Sequence, residues 1–282
     1  MHRYLRAVGF SGIQKREEFE ALSKFTSECY QTEETAVTEE GEDFSERRKE
    51  FAEQMGLLVR GVYDENDEFQ IEYCIPYFSG TTAHYYEDMA IERHAEKESY
   101  SGVCDDVNLG VSLIFYLQNV TEYLNKKRYG HMESTSASLI LSGLSVEGKI
   151  LMPVYQKTPV VSEIRSDQER RKMIQAAREG DEDAIENLTL EDMDTYSMIS
   201  KRIMDEDVFS IVTTHFMPCG VECDHYNIMG EILDVDLREN NYTKEKIYAM
   251  TIDTNGIVMD VCINQQDLIG EPMPGRRFRG II

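Results

Sequence analysis

The sequence contains no long hydrophobic run. No apolar stretch approaches the roughly 20 residues that a membrane-spanning helix needs, although 41% of the residues are hydrophobic. The N-terminal segment, MHRYLRAVGF, also lacks the apolar centre of a secretory signal. We therefore predict a cytoplasmic protein with no membrane partner.

Basic residues are scarce relative to acidic ones. The chain has 29 Lys and Arg against 53 Asp and Glu, and its net charge is −24. Such a surface repels phosphate backbones and anionic lipid headgroups. Basic residues cluster only at 46–49, 125–128, 165–172 and 276–279, and the first and third clusters are interleaved with acids. The charge thus disfavours nucleic-acid binding unless two of these clusters converge in space.

Cysteines are few and irregularly spaced: six are scattered over 282 residues. Small secreted proteins that depend on disulfides have dense, regularly spaced cysteines, because their cores are too small to be stable alone. A chain of this length has room for one large domain or two ordinary ones, each with its own core. We therefore predict reduced thiols in a reducing compartment.

Residues 1–160 predict an α+β domain with a mostly antiparallel sheet and a few helices. Residues 15–30 and 120–128 are predicted to be helices, the second with a basic C-terminal end that suits the helix dipole. Residues 56–78 predict two strands around a polar turn. In the second of these strands, alternation predicts one buried face (Phe69, Ile71, Tyr73 and Ile75), with Cys74 on the other face.

Further strands are predicted at 89–95 and 109–117, and two more at 136–144 and 149–155 around the turn SVEG. The last two are predicted to pair as a hairpin. The pattern breaks at Pro159, because the residue before a proline disfavours helix. Residues 161–206 then predict a helical connector, with apolar residues at helical spacing.

Residues 207–282 predict a small β-barrel, similar in outline to an OB-fold. The clearest element is a hairpin at Asn255-Gly256, because both central residues of such a turn need positive φ. A two-residue turn predicts four cross-strand pairs on one face: Thr254–Ile257, Ile252–Met259, Met250–Val261 and Tyr248–Ile263. A strand is predicted at 208–216 and a long one at 222–236, with a bulge or bend at Gly230, and a final strand at 276–282.

Several long blocks of the sequence resemble an uncharacterised "domain of unknown function" family of anaerobic Gram-positive bacteria. The blocks are YLRAVGF, IERHAEKESYSGVCDD, LGVSLIFYLQN, GDEDAIENLTLEDMDTYSMISKRI, EDVFSIV and MDVCINQQDLIGEPMPGRRFRG. The resemblance covers nearly the whole chain. It implies a bacterial cytoplasmic protein and brings no known activity or functional residues. Members of that family continue with a tryptophan-containing segment, so the resemblance implies that the final strand is cut short at Ile282.

One candidate site is a metal cluster in HFMPCGVECDHY, with His215, Cys219, Cys223 and His225 as ligands. If 208–216 and 222–236 pair around a turn at Pro218–Gly220, His215 faces Cys223 and Thr213 faces His225, which permits tetrahedral zinc. The spacing matches no standard zinc motif. Phe209 and Ile211 share the face of His215, so packing in the core is the favoured interpretation.

A second candidate site is a charged strand in which Glu92, His94 and Glu96 share one face. Two carboxylates flanking an imidazole could serve acid–base catalysis or bind a hard metal ion. An alternating charged strand is more often a solvated face, with Arg93 and Lys97 on the other side paired to acids. We favour the solvated face.

The sequence has no phosphate-binding glycine loop, dinucleotide fingerprint, H-E-x-x-H or kinase motif. The leading prediction is therefore a non-catalytic cytoplasmic protein that binds a protein or a small ligand and needs no cofactor. One alternative is a metal-dependent hydrolase that uses either candidate site. The other is single-stranded nucleic-acid binding by the barrel, which the net charge disfavours.

Overall fold

A computed structural model describes most of the chain. The described residues are 3–86, 89–93, 99–106, 111–129, 137–153, 173–177, 181–189, 193, 212–220 and 224–282. They fall into two compact units: one joins Met1–Leu151 to Phe216–Ile282, and the other is Met152–His215. No helix within the described ranges is long and apolar enough to cross a bilayer.

The first sheet of the larger unit has four antiparallel strands in sequence order. They are β1 (Thr32–Val37), β2 (Asp43–Ala52), β3 (Met55–Tyr63) and β4 (Phe69–Phe78). The predicted polar turn joins β3 to β4. Asp64 closes this turn, because its Oδ1 accepts from the backbone N–H groups of Asn66 and Glu68, both at 2.9 Å.

Two helices cover the two faces of this sheet, and both were predicted. Helix α1 (Arg16–Glu28) begins where Glu18 accepts a hydrogen bond from the backbone N–H of Lys15, and it packs its apolar side on Leu57. Helix α2 (Val120–Arg128) packs Val120, Tyr123 and Leu124 on the opposite face of the sheet, against Ala36 and Phe44.

The buried residues of β4 differ from those predicted. Cys74 is buried in the core, whereas Ile71 is 41% exposed. The predicted alternation assumed that one face of the strand meets solvent. Cys74 belongs to the same buried cluster as Leu22 of α1, so this helix covers the face of β4 that was predicted to meet solvent.

Five short strands form two small sheets in the same unit. They are β5 (Ala83–Tyr86), which pairs with β9 (Ala137–Ile140), and β6 (Ala90–Arg93), β7 (Tyr100–Asp106) and β8 (Val111–Tyr116), which pair in that order. The predicted strands at 89–95 and 109–117 correspond to β6 and β8. All pairs in both sheets are antiparallel.

The largest sheet has eight strands. They are β10 (Ser142–Ser145), β11 (Glu147–Leu151), β12 (His215–Pro218), β13 (Tyr226–Glu239), β14 (Lys246–Thr254), β15 (Ile257–Asn264), β16 (Leu268–Ile269) and β17 (Arg277–Ile281). The order is β10-β15-β14-β13-β17-β11-β16, and β12 also pairs with β13. Short 3-10 helices at Arg3–Val8 and Gln265–Asp267 complete the elements with assigned bounds.

The predicted hairpin at Asn255-Gly256 is confirmed. The two residues have φ of 55° and 83°, and β14 pairs with β15 in the predicted register, which includes all four predicted pairs. Gly230 lies where an added Cβ would be 2.4 Å from the carbonyl oxygen of Asp253. The register shift in β13 comes slightly later than predicted, between Ile232 and Asp234.

The predicted hairpin around SVEG is wrong. β10 pairs with β15 and β11 pairs with β17, so both find their partners near the C-terminus. Residues before 151 therefore share a sheet with residues after 226. For this reason the compact units do not follow the predicted domain boundaries at 160 and 207. Within the predicted connector, the described residues 173–177 and 182–189 are helical.

The predicted α+β class is confirmed, because over the described ranges the mostly antiparallel strands follow one another in long runs and do not alternate with helices. Over the described ranges, the path of hydrogen-bonded strands begins at β10 and ends at β16 without closing into a barrel. The core of this sheet is formed by apolar residues of β13, β14 and β15, among them Ile228, Ile252 and Val261.

Candidate binding cleft

Three of the four predicted zinc ligands lie within the described residues. His215 opens β12, Cys219 follows that strand, and His225 directly precedes β13, whereas Cys223 lies outside the described residues. The backbone N–H of Cys219 donates to the carbonyl oxygen of His225 at 2.9 Å. Cys219 therefore lies opposite His225, and the prediction that Thr213 faces His225 is wrong.

The residues next to these histidines belong to the core. Phe216 and Tyr226 are both buried, and their ring centroids are 4.7 Å apart. The ring of His225 makes an edge contact with Tyr4 at 5.6 Å. Over the part of the chain that the structure describes, no group of three or more His, Cys, Asp or Glu side chains could hold a metal ion. The zinc site stays a prediction, since Cys223 is not described.

Of the second predicted site, the structure describes Glu92 alone. Glu92 is exposed on β6 opposite Ser101, and His94 and Glu96 lie outside the described residues. The neighbouring Arg93 pairs with Glu40, with 3.0 Å between Nη1 and Oε1. This ion pair agrees with the prediction that the other side of the strand pairs with acids.

A cleft of about 430 Å³ lies between β1 and α2, where the sequence analysis predicted no site. Its lining residues are Glu34, Thr35, Glu122, Asn125, Lys126 and Tyr129. Asn125 spans the cleft floor, because its Nδ2 donates to the backbone carbonyl of Thr35 at 3.1 Å. The cleft is therefore bounded by strand backbone on one side and by helix side chains on the other.

The charges in the cleft do not cancel. Glu122 pairs with Lys126 at 2.6 Å and accepts from Asn119, and these hydrogen bonds lower its pKa. The hydroxyl of Thr121, which carries no charge, lies 2.8 Å from Glu34 and 2.7 Å from Glu46, so the two carboxylates share its single hydrogen. No Lys or Arg within the described ranges forms an ion pair with Glu34. Among the described residues, Glu34 is thus a carboxylate without an ion-pair partner.

An exposed aromatic ring lies at the rim of the cleft. Tyr129 directly follows α2 and is 71% exposed. The face of an aromatic ring attracts cations through its quadrupole. The cleft therefore combines a carboxylate without a cation and a ring, the two kinds of group that favour a positively charged ligand.

A buried carboxylate from the sheet holds the N-terminus of α2. The N-cap residue Asn119 makes no capping hydrogen bond with its side chain. Instead, Glu46 on β2 accepts from the backbone N–H of Thr121 at 2.9 Å and from its hydroxyl at 2.7 Å. A negative charge is stabilising at a helix N-terminus. Glu46 thus fixes the helix that forms one wall of the cleft.

Glu46 is neutralised by an arginine that is buried as deeply. Nε of Arg60 donates to Glu46 at 2.6 Å, and each residue is 1% exposed. Arg60 also donates to the hydroxyl of Tyr73 and to the carbonyls of Leu117 and Gln118. Burial by itself lowers the pKa of Arg60, but Glu46 and Tyr73 outweigh burial and raise it. The pair ties β2, β3 and the segment before α2 together.

On the other face of the sheet, Glu33 accepts several hydrogen bonds. Its Oε1 accepts from Ser45, Arg47 and Tyr63, each at 2.8 Å. Burial alone would raise its pKa, but these hydrogen bonds lower it to about 2. The guanidinium of Arg47 also stacks over Phe69, 4.0 Å from the ring centroid. Glu33 therefore forms a structural ion pair, and Glu34 is the carboxylate of β1 that faces the cleft.

Sequence reasoning missed the cleft because its two walls are far apart in the chain. The segment 120–128 was predicted to be a helix, but nothing in its spacing indicates that it lies beside residues 34 and 35. A pair of acids at Glu33 and Glu34 was the only local signal, and acids are common throughout this chain.

Comparison with known proteins identifies a family. A family model described as "Domain of unknown function, E. rectale Gene description (DUF3881)" matches residues 5–282, so the predicted family resemblance is confirmed. No curated protein matches the chain. No solved structure matches it either.

Proposed function

This chain belongs to the DUF3881 family, and we propose that it is a non-catalytic binding protein. In this proposal the cleft between β1 and α2 receives a lysine or arginine side chain of a partner protein. The observation that carries the proposal is Glu34, a carboxylate in the cleft that no described cation neutralises. A positive group placed there would gain an ion pair.

The size and chemistry of the cleft support a single side chain as the ligand. The cleft is open to solvent and has a volume of about 430 Å³, so it can receive the end of a side chain but does not enclose a small molecule. The exposed ring of Tyr129 adds a cation–π contact worth about 0.5–1 kcal/mol. The net charge of −24 would also speed the encounter with a basic partner.

The non-catalytic role follows from the sequence, which has no phosphate-binding glycine loop, dinucleotide fingerprint, H-E-x-x-H or kinase motif. The proposed binding needs no cofactor. We also propose a cytoplasmic location, which the free thiols of the described cysteines support. The zinc site, the small OB-like barrel and single-stranded nucleic-acid binding stay predictions.

The test compares two variants that remove one negative charge each. Glu34→Gln changes the cleft, and Glu65→Gln changes the exposed turn between β3 and β4. The probe is N-acetyl-arginine amide, titrated by NMR, with the neutral N-acetyl-norleucine amide as control. An exposed ion pair contributes up to about 1 kcal/mol, so we expect Glu34→Gln to weaken binding about fivefold.

Glu65→Gln should leave the affinity unchanged. Equal weakening by both variants would show that the net charge alone attracts the probe, and would refute the proposal. Binding of the neutral amide as tightly as the arginine amide would refute it as well.

A further inference from the structure

Strand β1 has one unpaired edge, and the cleft lies along it. β1 is at the end of the sheet and pairs with β2 on one side only, within the described ranges. The carbonyl of Thr35 accepts from Asn125 on α2, so the backbone of Thr35 points away from β2. In an antiparallel pair, the N–H and C=O of such a residue point to the same edge.

After β1, one hydrogen bond gives the same alternation, whereas before the strand the backbone N–H of Gln31 donates to the carbonyl of Arg48, so the alternation holds within β1 only. The backbone N–H of Thr38 donates to the carbonyl of Glu42 in the turn that follows β1. Even-numbered residues therefore bond towards β2, and residues 33, 35 and 37 point outward. An outward row of this kind is a template for pairing with another strand.

We infer that the partner binds as an extended segment that pairs its backbone with β1 and places its basic side chain in the cleft. This inference rests on the proposed function. An added strand gains affinity from main-chain hydrogen bonds and specificity from pockets for alternate side chains. The cleft provides such a pocket directly beside the unpaired edge.

The register of the added strand follows from the direction of Glu34. Glu34 points to the face of the sheet that carries α2, because its carboxylate reaches Thr121. Residues directly opposite one another on adjacent strands keep their side chains on the same face, about 4.5–5.5 Å apart. The lysine or arginine of the partner therefore lies opposite Glu34.

The neighbouring residues of the partner need no charge. They would lie opposite Glu33 and Thr35, on the face where Arg47 already neutralises Glu33. The expected partner sequence thus alternates a basic residue with uncharged, β-forming residues. The bound backbone would donate to the carbonyl of Thr35 in place of Asn125, so one hydrogen bond replaces another.

The test distinguishes the contribution of the outward backbone N–H of Thr35 to peptide binding from the contribution of its side chain. Thr35→Pro removes this N–H, which bonds to no residue of β2, and proline is tolerated on edge strands in that orientation. Thr35→Ala is the matched reference, because it removes the side chain and keeps the N–H. The probe is a short fluorescent peptide that alternates lysine and valine, and binding is followed by anisotropy.

We expect Thr35→Pro to bind the peptide about tenfold more weakly than Thr35→Ala, as loss of one to two hydrogen bonds predicts. A second probe avoids dependence on the folding of the proline variant. This probe is the same peptide with alternate backbone amides N-methylated, which keeps its charge. We expect it to bind wild-type protein about tenfold more weakly than the unmethylated peptide.

Equal binding of Thr35→Pro and Thr35→Ala, together with equal binding of both peptides, would refute strand addition. If Glu34→Gln still weakened arginine-amide binding in that case, the proposed function would stand while this inference failed. Failure of the proposed function would instead appear as equal effects of Glu34→Gln and Glu65→Gln.

Discussion

Replacing Arg60 by methionine tests whether the buried pair holds the sheet and α2 together. The change keeps an apolar side chain of similar length but removes every hydrogen bond to Glu46, Tyr73 and the carbonyls before α2. Glu46 would keep only its two hydrogen bonds from Thr121. Removing one partner of a buried ion pair costs about 3–5 kcal/mol.

That cost is a large part of the stability of a folded protein, which is about 5–15 kcal/mol in total. For domains of roughly this size, 1 kcal/mol corresponds to about 2–4 °C in Tm, so Arg60→Met should lower Tm on the order of 10 °C. Circular dichroism during heating, and urea unfolding, measure the change. The control is Arg16→Met, which breaks an exposed pair with Glu20 and should cost less than about 0.5 kcal/mol.

A double variant tests whether the unpaired charge of Glu46 causes the loss of stability in Arg60→Met. In Arg60→Met with Glu46→Gln, the unpaired charge is gone and the amide oxygen can still accept from Thr121, so we expect about 1–2 kcal/mol of recovery relative to Arg60→Met. If Arg60→Met cost no more than Arg16→Met, or if the double variant were no more stable than Arg60→Met, the reasoning about a stranded buried charge would be refuted.

Two further predictions concern acid stability and thiol reactivity. Because Arg47 and other donors lower the pKa of Glu33 from 4.5 to about 2, the stabilisation is present above about pH 4.5 and is lost as pH falls towards 2. Over that pH range, the free energy of unfolding of wild-type protein, measured with urea, should fall by about 1–2 kcal/mol relative to that of Glu33→Gln. This figure is reduced for solvent screening. Equal dependence of both free energies on pH would contradict the prediction. With iodoacetamide at neutral pH, exposed Cys29 should react in the native protein. Burial raises the pKa of Cys74 to about 12 and also raises the pKa of Cys262. Cys74 and Cys262 should therefore react only after unfolding. Native alkylation of Cys262 at the rate of Cys29, seen by peptide mass mapping, would show that this part of the core is open.

The elements that were predicted correctly are those whose signals are local. Asn255 and Gly256 supply the two positive φ angles of a tight turn, and the alternation on either side fixes the register without reference to the rest of the chain. The helix at 120–128 was likewise predicted from its own composition and ends. In these cases a few neighbouring residues are sufficient to determine the local structure.

The errors arose where distant segments decide the outcome. The strands around SVEG were predicted to pair with each other, yet each pairs with a strand more than a hundred residues later. Cys74 was placed on a polar face, because alternation within β4 cannot show that a helix covers that face too. The cleft was missed for the same reason, since Glu34 and Tyr129 meet only after α2 docks on the sheet.

The position of β11 has a consequence for synthesis of the chain. This strand lies between β16 and β17, and both of its neighbours come from the last part of the sequence. At about 5–20 residues per second, a ribosome needs on the order of ten seconds to make the intervening residues. During that time both edges of β11 are open to pairing with other nascent chains. We therefore expect the partly synthesised chain to be prone to aggregation until β16 and β17 are made, and expression at lower temperature with added chaperones should raise the soluble yield.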